Sequence, residues 1–200
     1  MTAIAISPDP ALLAALDGRR SVPARQLAEP GPDAATLRRM LASAVRVPDH
    51  GKRVPFRFLA IAGAARDGLG EAFAARGLAL RPEAGEAAVD KDRARFSHAP
   101  LVIVAIAVLD PDDGAIPEQE RLLTAGCTCF ALLQAAQGLG FGASWLTGWP
   151  AYDPEVMALL GLGANERIAG FIHIGTPKLA PPERDRPAPD ALLREWAPPA

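Results

Sequence analysis

Arg19, Arg20 and Ser21 place two guanidiniums and a hydroxyl in three consecutive positions, immediately after a helix-forming segment, Pro10 to Asp17, that stops at Gly18. Such a set suits an oxyanion like phosphate, because a planar guanidinium offers paired N–H donors to its oxygens. Arginines at a helix C-terminus also complement the helix dipole, and both readings stand at this point. A second polar set consists of Arg46 and His50, with Lys52 and Arg53 in the loop PDHGKRVP. A histidine among several cations is an unusual placement, although solvation of a loop histidine explains it too. Lys178, behind Gly175-Thr176-Pro177, is either an exposed lysine or the completion of an anion site begun at Arg19.

Other chemistries find little support. Gly138, Gly140 and Ala143 match the relaxed G-x-G-x-x-G/A spacing, but a dinucleotide turn follows a strand and opens a helix, whereas these residues follow a helix and open an apolar run with Trp145. Bared backbone there lets a flat or anionic group approach. G-x-S-x-G, HExxH and P-loop patterns are absent. Cys127 and Cys129, two apart on a helix, point to different faces, which excludes a disulfide framework and argues against a metal site.

The elements that must position these residues follow from pattern. Glu118 to Gly138 reads as one long helix; from Leu122 to Ala136 it is apolar or small nearly all round and must be covered on most sides. One sheet and a few helices do not suffice for that, so a second copy of the chain is expected on one face. Pro100 to Leu109 is a continuous apolar run, the pattern of a strand buried on both faces. Arg57 to Ala62, Gly142 to Leu146 and Ile168 to Ile174 read as further strands. Helices are expected at Ala34 to Val47, capped by Asp33, at Ala65 to Arg76, at Glu83 to Phe96 and at Pro154 to Leu160, and LAEPGPD reads as a turn. The proline-rich stretch from Pro177, ending in Leu192, Leu193 and Trp196, reads as an arm laid over a surface. This order describes an α+β sandwich rather than a regular βαβ winding. With 200 residues, half of them apolar, and a net charge of −2, one domain is expected and no general attraction for nucleic acid. No apolar run spans a bilayer, and MTAIAISPDP lacks a basic flank, so a cytoplasmic protein is expected.

Taken in order, RRS at 19 to 21, RVPDH at 46 to 50, the Pro-aromatic-Arg-Phe entry at 55 to 58, TAGCTCFALLQAAQGLGFG, SWLTG, and GFIHIGTPK at 170 to 178 resemble the nitroreductase family of FMN-dependent oxidoreductases over nearly the whole chain. The likeness is greatest to compact bacterial members with a PDH loop. It implies an α+β nitroreductase-like sandwich, with a central mixed sheet flanked by helices, forming an intertwined homodimer with FMN at its interface and residues 177 to 200 as an arm on the partner. By position, Arg19, Arg20 and Ser21 resemble the flavin-contacting loop, with Lys178 near the phosphate. Arg46 and His50 resemble residues that a partner reaches into the same site. Trp145, Leu146 and Thr147 resemble the strand against the isoalloxazine ring, and Gly138 to Gly142 a region associated with the nicotinamide donor.

The resemblance assigns no side chain as acid, base or nucleophile: FMN accepts hydride from NAD(P)H and passes electrons to a nitroaromatic, quinone or related acceptor, one substrate leaving before the next binds. The chain departs from the family pattern at Lys52, Arg53 and Val54, where many relatives carry an amide and a Gln, and at Leu146, where the nearest subgroup tends to have a basic residue. These departures motivate another reading, a protein that binds or sequesters flavin without turnover; a third is a flavin-free interaction module in which the arginines only decorate helix ends.

Overall fold

The fold is built on the most apolar strand of the chain. In the computed structural model, which describes residues 7–199, the run LVIVAIAV forms a strand whose residues are buried except at its last position. The start of MTAIAISPDP, read above for its lack of a basic flank, lies outside the described residues. The elements are α1 (Pro10–Asp17), β1 (Leu27–Ala28), α2 (Ala34–Ala44), β2 (Phe56–Ala62), α3 (Ala64–Leu80), α4 (Glu86–Arg93), β3 (Leu101–Val108), α5 (Glu118–Gly138), β4 (Gly142–Leu146), α6 (Pro154–Leu159), β5 (Glu166–Pro177) and α7 (Pro189–Leu192).

β3 lies between β2 and β5, while β5, at 12 residues, is long enough to pair β3, β4 and the short β1. The resemblance implies a mixed sheet; every strand pairing among the described residues is instead antiparallel. The connections account for this. Two helices between β2 and β3 reverse the chain three times, and the single helix before β4 delivers that strand parallel to β3 but onto the far edge of β5, where its neighbour runs the other way.

Alternation along the strands separates two cores. Leu101, Ile103 and Ala105 face Met40 and Ala44 of α2 and Cys129, Leu132, Leu133 and Ala136 of α5. Val102, Val104 and Ile106 face Phe73 of α3, Phe96 and Val156 of α6. Phe96 sits edge-on to Phe73 and Phe171, at 5.0 and 5.1 Å between ring centres, and stacks on His173 at 5.5 Å. One irregularity matters for function: between Ala105 and Ile106 the register with β5 slips, so that Ala169 has no partner on β3.

Boundaries differ from expectation where side chains meet across elements. α2 ends at Ala44 rather than Val47, since the residue before Pro48 is disfavoured in the helical region. α3 continues to Leu80 through Gly77, where a Cβ would overlap the Asp92 carboxylate. LAEPGPD contributes the two residues of β1, which pair with Pro177 and Thr176. α5 buries one stripe against the sheet and leaves Leu122, Leu123 and Phe130 exposed at 45, 61 and 43%. Among the described residues no helix is long and apolar enough to cross a membrane, and no three His, Cys, Asp or Glu side chains are grouped to hold a metal.

Candidate functional site

Arg20 closes the end of α1, where it complements the helix dipole, and also meets a carboxylate of the C-terminal arm. Its Nη1 donates to the carbonyl of Asp17, the last residue of α1, at 2.6 Å, while its other terminal nitrogen forms an ion pair with Glu183. Arg19 Nη1 donates to Ser21 Oγ at 3.2 Å. The segment is fastened to the sheet immediately afterwards, since Val22 N–H donates to the Ala143 carbonyl at 2.9 Å and Val22 packs against Gly142, where a Cβ would crowd it. The arginines therefore stand beside the start of β4. Around them lies a cavity of about 130 Å³, to which the C-terminal arm adds Arg184 and Arg186. A neighbouring hollow of about 530 Å³ shares Arg19, Arg184 and Arg186 and is bordered by Leu16 and Glu183. The Glu183 carboxylate is also 3.3 Å from Arg186 Nη2, so an anionic group already lies between two of the guanidiniums.

Leu16 also lines a far larger apolar groove of about 1130 Å³ along the exposed face of α5. Gln137 joins the two regions: its Oε1 accepts from Arg20 N–H at 3.4 Å, its Nε2 donates to the Ala15 carbonyl at 3.3 Å, and it borders the groove. Trp145 forms part of the groove's sheet-side wall, at 38% exposure. Its indole crosses Gly170, which has no side chain to obstruct it, and Nε1 donates to the Ala169 carbonyl at 3.1 Å, the residue that the register slip leaves without a β3 partner. The flat face of the tryptophan is thus held by a bulge and a glycine on the neighbouring strand. Arg46 lines the groove from the other side. Cys127 borders it as an exposed thiol, whereas burial pushes the Cys129 thiol up to about 12 and removes it from chemistry at neutral pH.

The PDHGKRVP loop is strained. Lys52 and Val54 adopt φ of 54° and 49°, and for a β-branched residue this is an outlier that costs about 1–2 kcal/mol. Asp49 holds it there, its carboxylate accepting from Arg53 N–H at 3.1 Å and Val54 N–H at 2.8 Å. The loop docks on the N-terminal turn of α5. Thr124 Oγ1 donates to the Pro48 carbonyl at 3.2 Å, Arg53 Nε donates to Asp113 at 2.8 Å, and the buried Arg121 binds the same carboxylate. Burial raises the Asp113 pKa, but the Arg53 hydrogen bond and the neighbouring charges outweigh it and hold the group below the usual carboxylate range. His50 Nδ1 lies 2.7 Å from Glu120 Oε2, and both side chains are exposed. Strain retained by so many contacts marks a segment whose shape matters.

The structure therefore brings together Arg19, Arg20 and Ser21 in one cavity and sets Arg46 and Trp145 on the adjoining groove. Leu146, at 40% exposure, and Thr147 continue from Trp145 without lining that groove. His50 stands at the start of α5. Lys178 is not among the cavity's lining residues: its backbone N–H donates to Gln26 O at 2.8 Å and its Nζ lies 3.5 Å from Arg25 O. Arg184, Arg186, Glu183 and Gln137 were not singled out in the sequence. Their spacing carries no signal: a proline-rich arm in polyproline II geometry repeats every three residues, so positions two apart do not share a side, and the two side chains meet only because of where the arm lies.

A model of the nitroreductase family matches residues 16–176. The Escherichia coli K12 protein named "Putative NAD(P)H nitroreductase YdjA" is 33% identical over 164 residues, covering 82% of this chain and 87% of that protein. Among solved structures, a nitroreductase-like family protein from Bacillus cereus superposes with a TM-score of 0.78 at 24% identity, covering 96% of this chain and 99% of the other. A nitroreductase with bound FMN from Bacteroides fragilis superposes with a TM-score of 0.69 at 18% identity, covering 94% and 100%.

Proposed function

The chain belongs to the nitroreductase family of oxidoreductases, and from that membership we propose that it is an FMN-dependent enzyme passing electrons from NAD(P)H to a nitroaromatic, quinone or related acceptor. The observation that carries this reading is the convergence of Arg19, Arg20, Ser21, Arg184 and Arg186 on one cavity that opens, past Leu16, onto a broad apolar groove. The residues fit the group. Four guanidiniums and a hydroxyl suit a doubly charged phosphate monoester, and the Glu183 carboxylate between Arg20 and Arg186 acts as a stand-in for it. Trp145, held flat over Gly170, offers a wall to an aromatic ring.

In this reading the phosphate is held by the five cavity residues, and the backbone from Trp145 to Thr147, at the end of edge strand β4, faces the ring edge. FMN, when bound, supplies the hydride-accepting and electron-donating chemistry, with one substrate leaving before the next binds. The protein's own work is to bind, orient and shield. Leu122, Leu123 and Phe130 are covered by a second copy of the chain, making a cytoplasmic homodimer in which Arg46 and His50 approach the partner's site and the arm lies against the partner.

The test is the visible spectrum of the purified protein, identification of the flavin it releases, and oxidation of NADH or NADPH with a quinone. Bound FMN that either nucleotide reduces is expected, and Arg19→Ala with Ser21→Ala lowers flavin occupancy without unfolding. A protein that stays colourless in excess FMN refutes the proposal. One that binds FMN but is reduced by neither nucleotide is a flavin-sequestering protein instead.

A further inference from the structure

On the face of the sheet away from α5, α4 carries an almost completely buried carboxylate, Asp92, at 3% exposure. Its Oδ1 accepts from Trp149 Nε1 at 3.0 Å and from Arg95 Nη2 at 2.9 Å, and its Oδ2 accepts from Arg81 Nη2 at 2.6 Å. Burial raises its pKa, but the hydrogen bonds from Trp149 and Arg95, with the charges of Arg95 and Arg81, more than offset this and keep it ionised. Space is reserved for it by Gly77 on α3, where any side chain would overlap Oδ2.

A buried ion pair of this kind contributes little net stability, because desolvation consumes most of the Coulomb gain. What it does contribute is geometry, and the geometry leads to the segment that follows Thr147. Trp149 packs its ring on Phe73, 5.9 Å between centres, while Asp92 fixes its N–H. Gly148 has φ of 95°, and Arg95 Nη1 lies 3.2 Å from where a Cβ on Gly148 would be, so the guanidinium that Asp92 orients backs directly onto this turn. The far end of the segment is pinned from the same layer. Asp153 binds Arg76 of α3 at 2.9 Å and caps α6 by accepting from Val156 N–H at 3.0 Å. Thr147 to Asp153 is thereby tied at both ends to α3 and α4, with Asp92 at the inner knot.

We propose that Asp92 is a positioning residue for the turn at Gly148, which ends the flavin-facing segment Trp145 to Thr147, acting through Trp149 and Arg95. The proposal rests on the flavin reading above. Asp92 touches neither cofactor nor substrate; it sets the backbone that does.

The test uses the full-length protein and two single variants. Trp149→Phe keeps the aromatic packing on Phe73 and removes only the donor to Asp92, and Asp92→Asn removes the charge that orients Arg95. Each is expected to raise the FMN dissociation constant at least about threefold and to shift the visible bands of bound flavin towards those of free FMN. Trp149→Phe leaves the buried Asp92 short of one donor and is expected to melt roughly 3–12 °C below wild type while remaining folded. The double variant should bind FMN no more weakly than Asp92→Asn alone, because both changes act on one connection. Wild-type affinity and spectrum in Trp149→Phe, in a protein whose wild type binds FMN, overturn this inference alone, even if Asp92→Asn fails to fold. A wild type that takes up no FMN overturns the flavin reading and this inference with it.

Discussion

Acidification from pH 7 to pH 5 is expected to destabilise the protein chiefly through one residue, His173. It is 1% exposed, stacked on Phe96, opposite Ser144 of β4, and its Nδ1 has no hydrogen-bond partner. Burial, aided by the neighbouring His98 and Arg95, lowers its pKa from 6.5 to about 4. The unfolded chain therefore takes up a proton near pH 6.5 that the folded chain refuses until about pH 4. This contribution to stability is fully present above pH 6.5 and is lost as pH falls towards 4. A shift of this size corresponds to about 3 kcal/mol in all, of which about 2 kcal/mol is lost between pH 7 and pH 5. For a chain of this length that amounts to a fall of roughly 4–8 °C in Tm. His98, whose pKa is lowered by partial burial and by Arg25 and Lys178, adds in the same direction. The carboxylates with depressed pKa, such as Asp153 and Glu166, lose their contribution only below their ordinary range of about 4 and do not enter this window. The assay is urea unfolding followed by tryptophan fluorescence at fixed protein concentration, for wild type and His173→Gln. The variant starts less stable but is expected to lose most of the dependence on pH. Equal slopes for the two proteins between pH 7 and pH 5 would refute the assignment.

Gly170→Ala sets a methyl inside the Trp145 indole and breaks its bond to Ala169, so a stability loss of about 2–4 kcal/mol in thermal melts is expected, with weaker FMN binding by fluorescence titration. Val54→Gly reverses the usual cost of glycine: relief of the φ 49° strain makes it neutral or stabilising by up to about 1 kcal/mol in chemical denaturation. Glu183→Gln frees Arg20 and Arg186 from their own carboxylate, and FMN is expected to bind up to about fivefold tighter, the limit for a solvent-exposed ion pair. A tighter complex whose affinity no longer falls with competing inorganic phosphate would contradict the phosphate assignment.

What could be read from the sequence was local, and the reason is physical. LVIVAIAV has no polar side chain to place outward, so it declares a central strand; Gly18 and the residues after it declare a helix end followed by cations. Both are decided within a few residues. Placement of the cations is decided elsewhere. Lys178 follows a strand, and the backbone bond from its N–H to Gln26, with the β1 pairing beside it, sets its Nζ 3.5 Å from the Arg25 carbonyl, a placement that its sequence position does not announce. Arg184 and Arg186 reach the cavity only because the arm folds back across some 160 positions to residues 19–21, a closure with no periodicity to announce it. The same holds for Trp145, whose orientation depends on a slipped register on another strand, and for Trp149, whose partner is a carboxylate on a helix that looks solvated in sequence. A guanidinium can be recognised as a phosphate ligand from its type alone; that several of them meet at one point depends on strand register and on glycines that leave room. Substitutions at Gly77, Gly142 and Gly170 should therefore disturb the site as much as changes to the arginines themselves, although none of the three glycines carries a functional group.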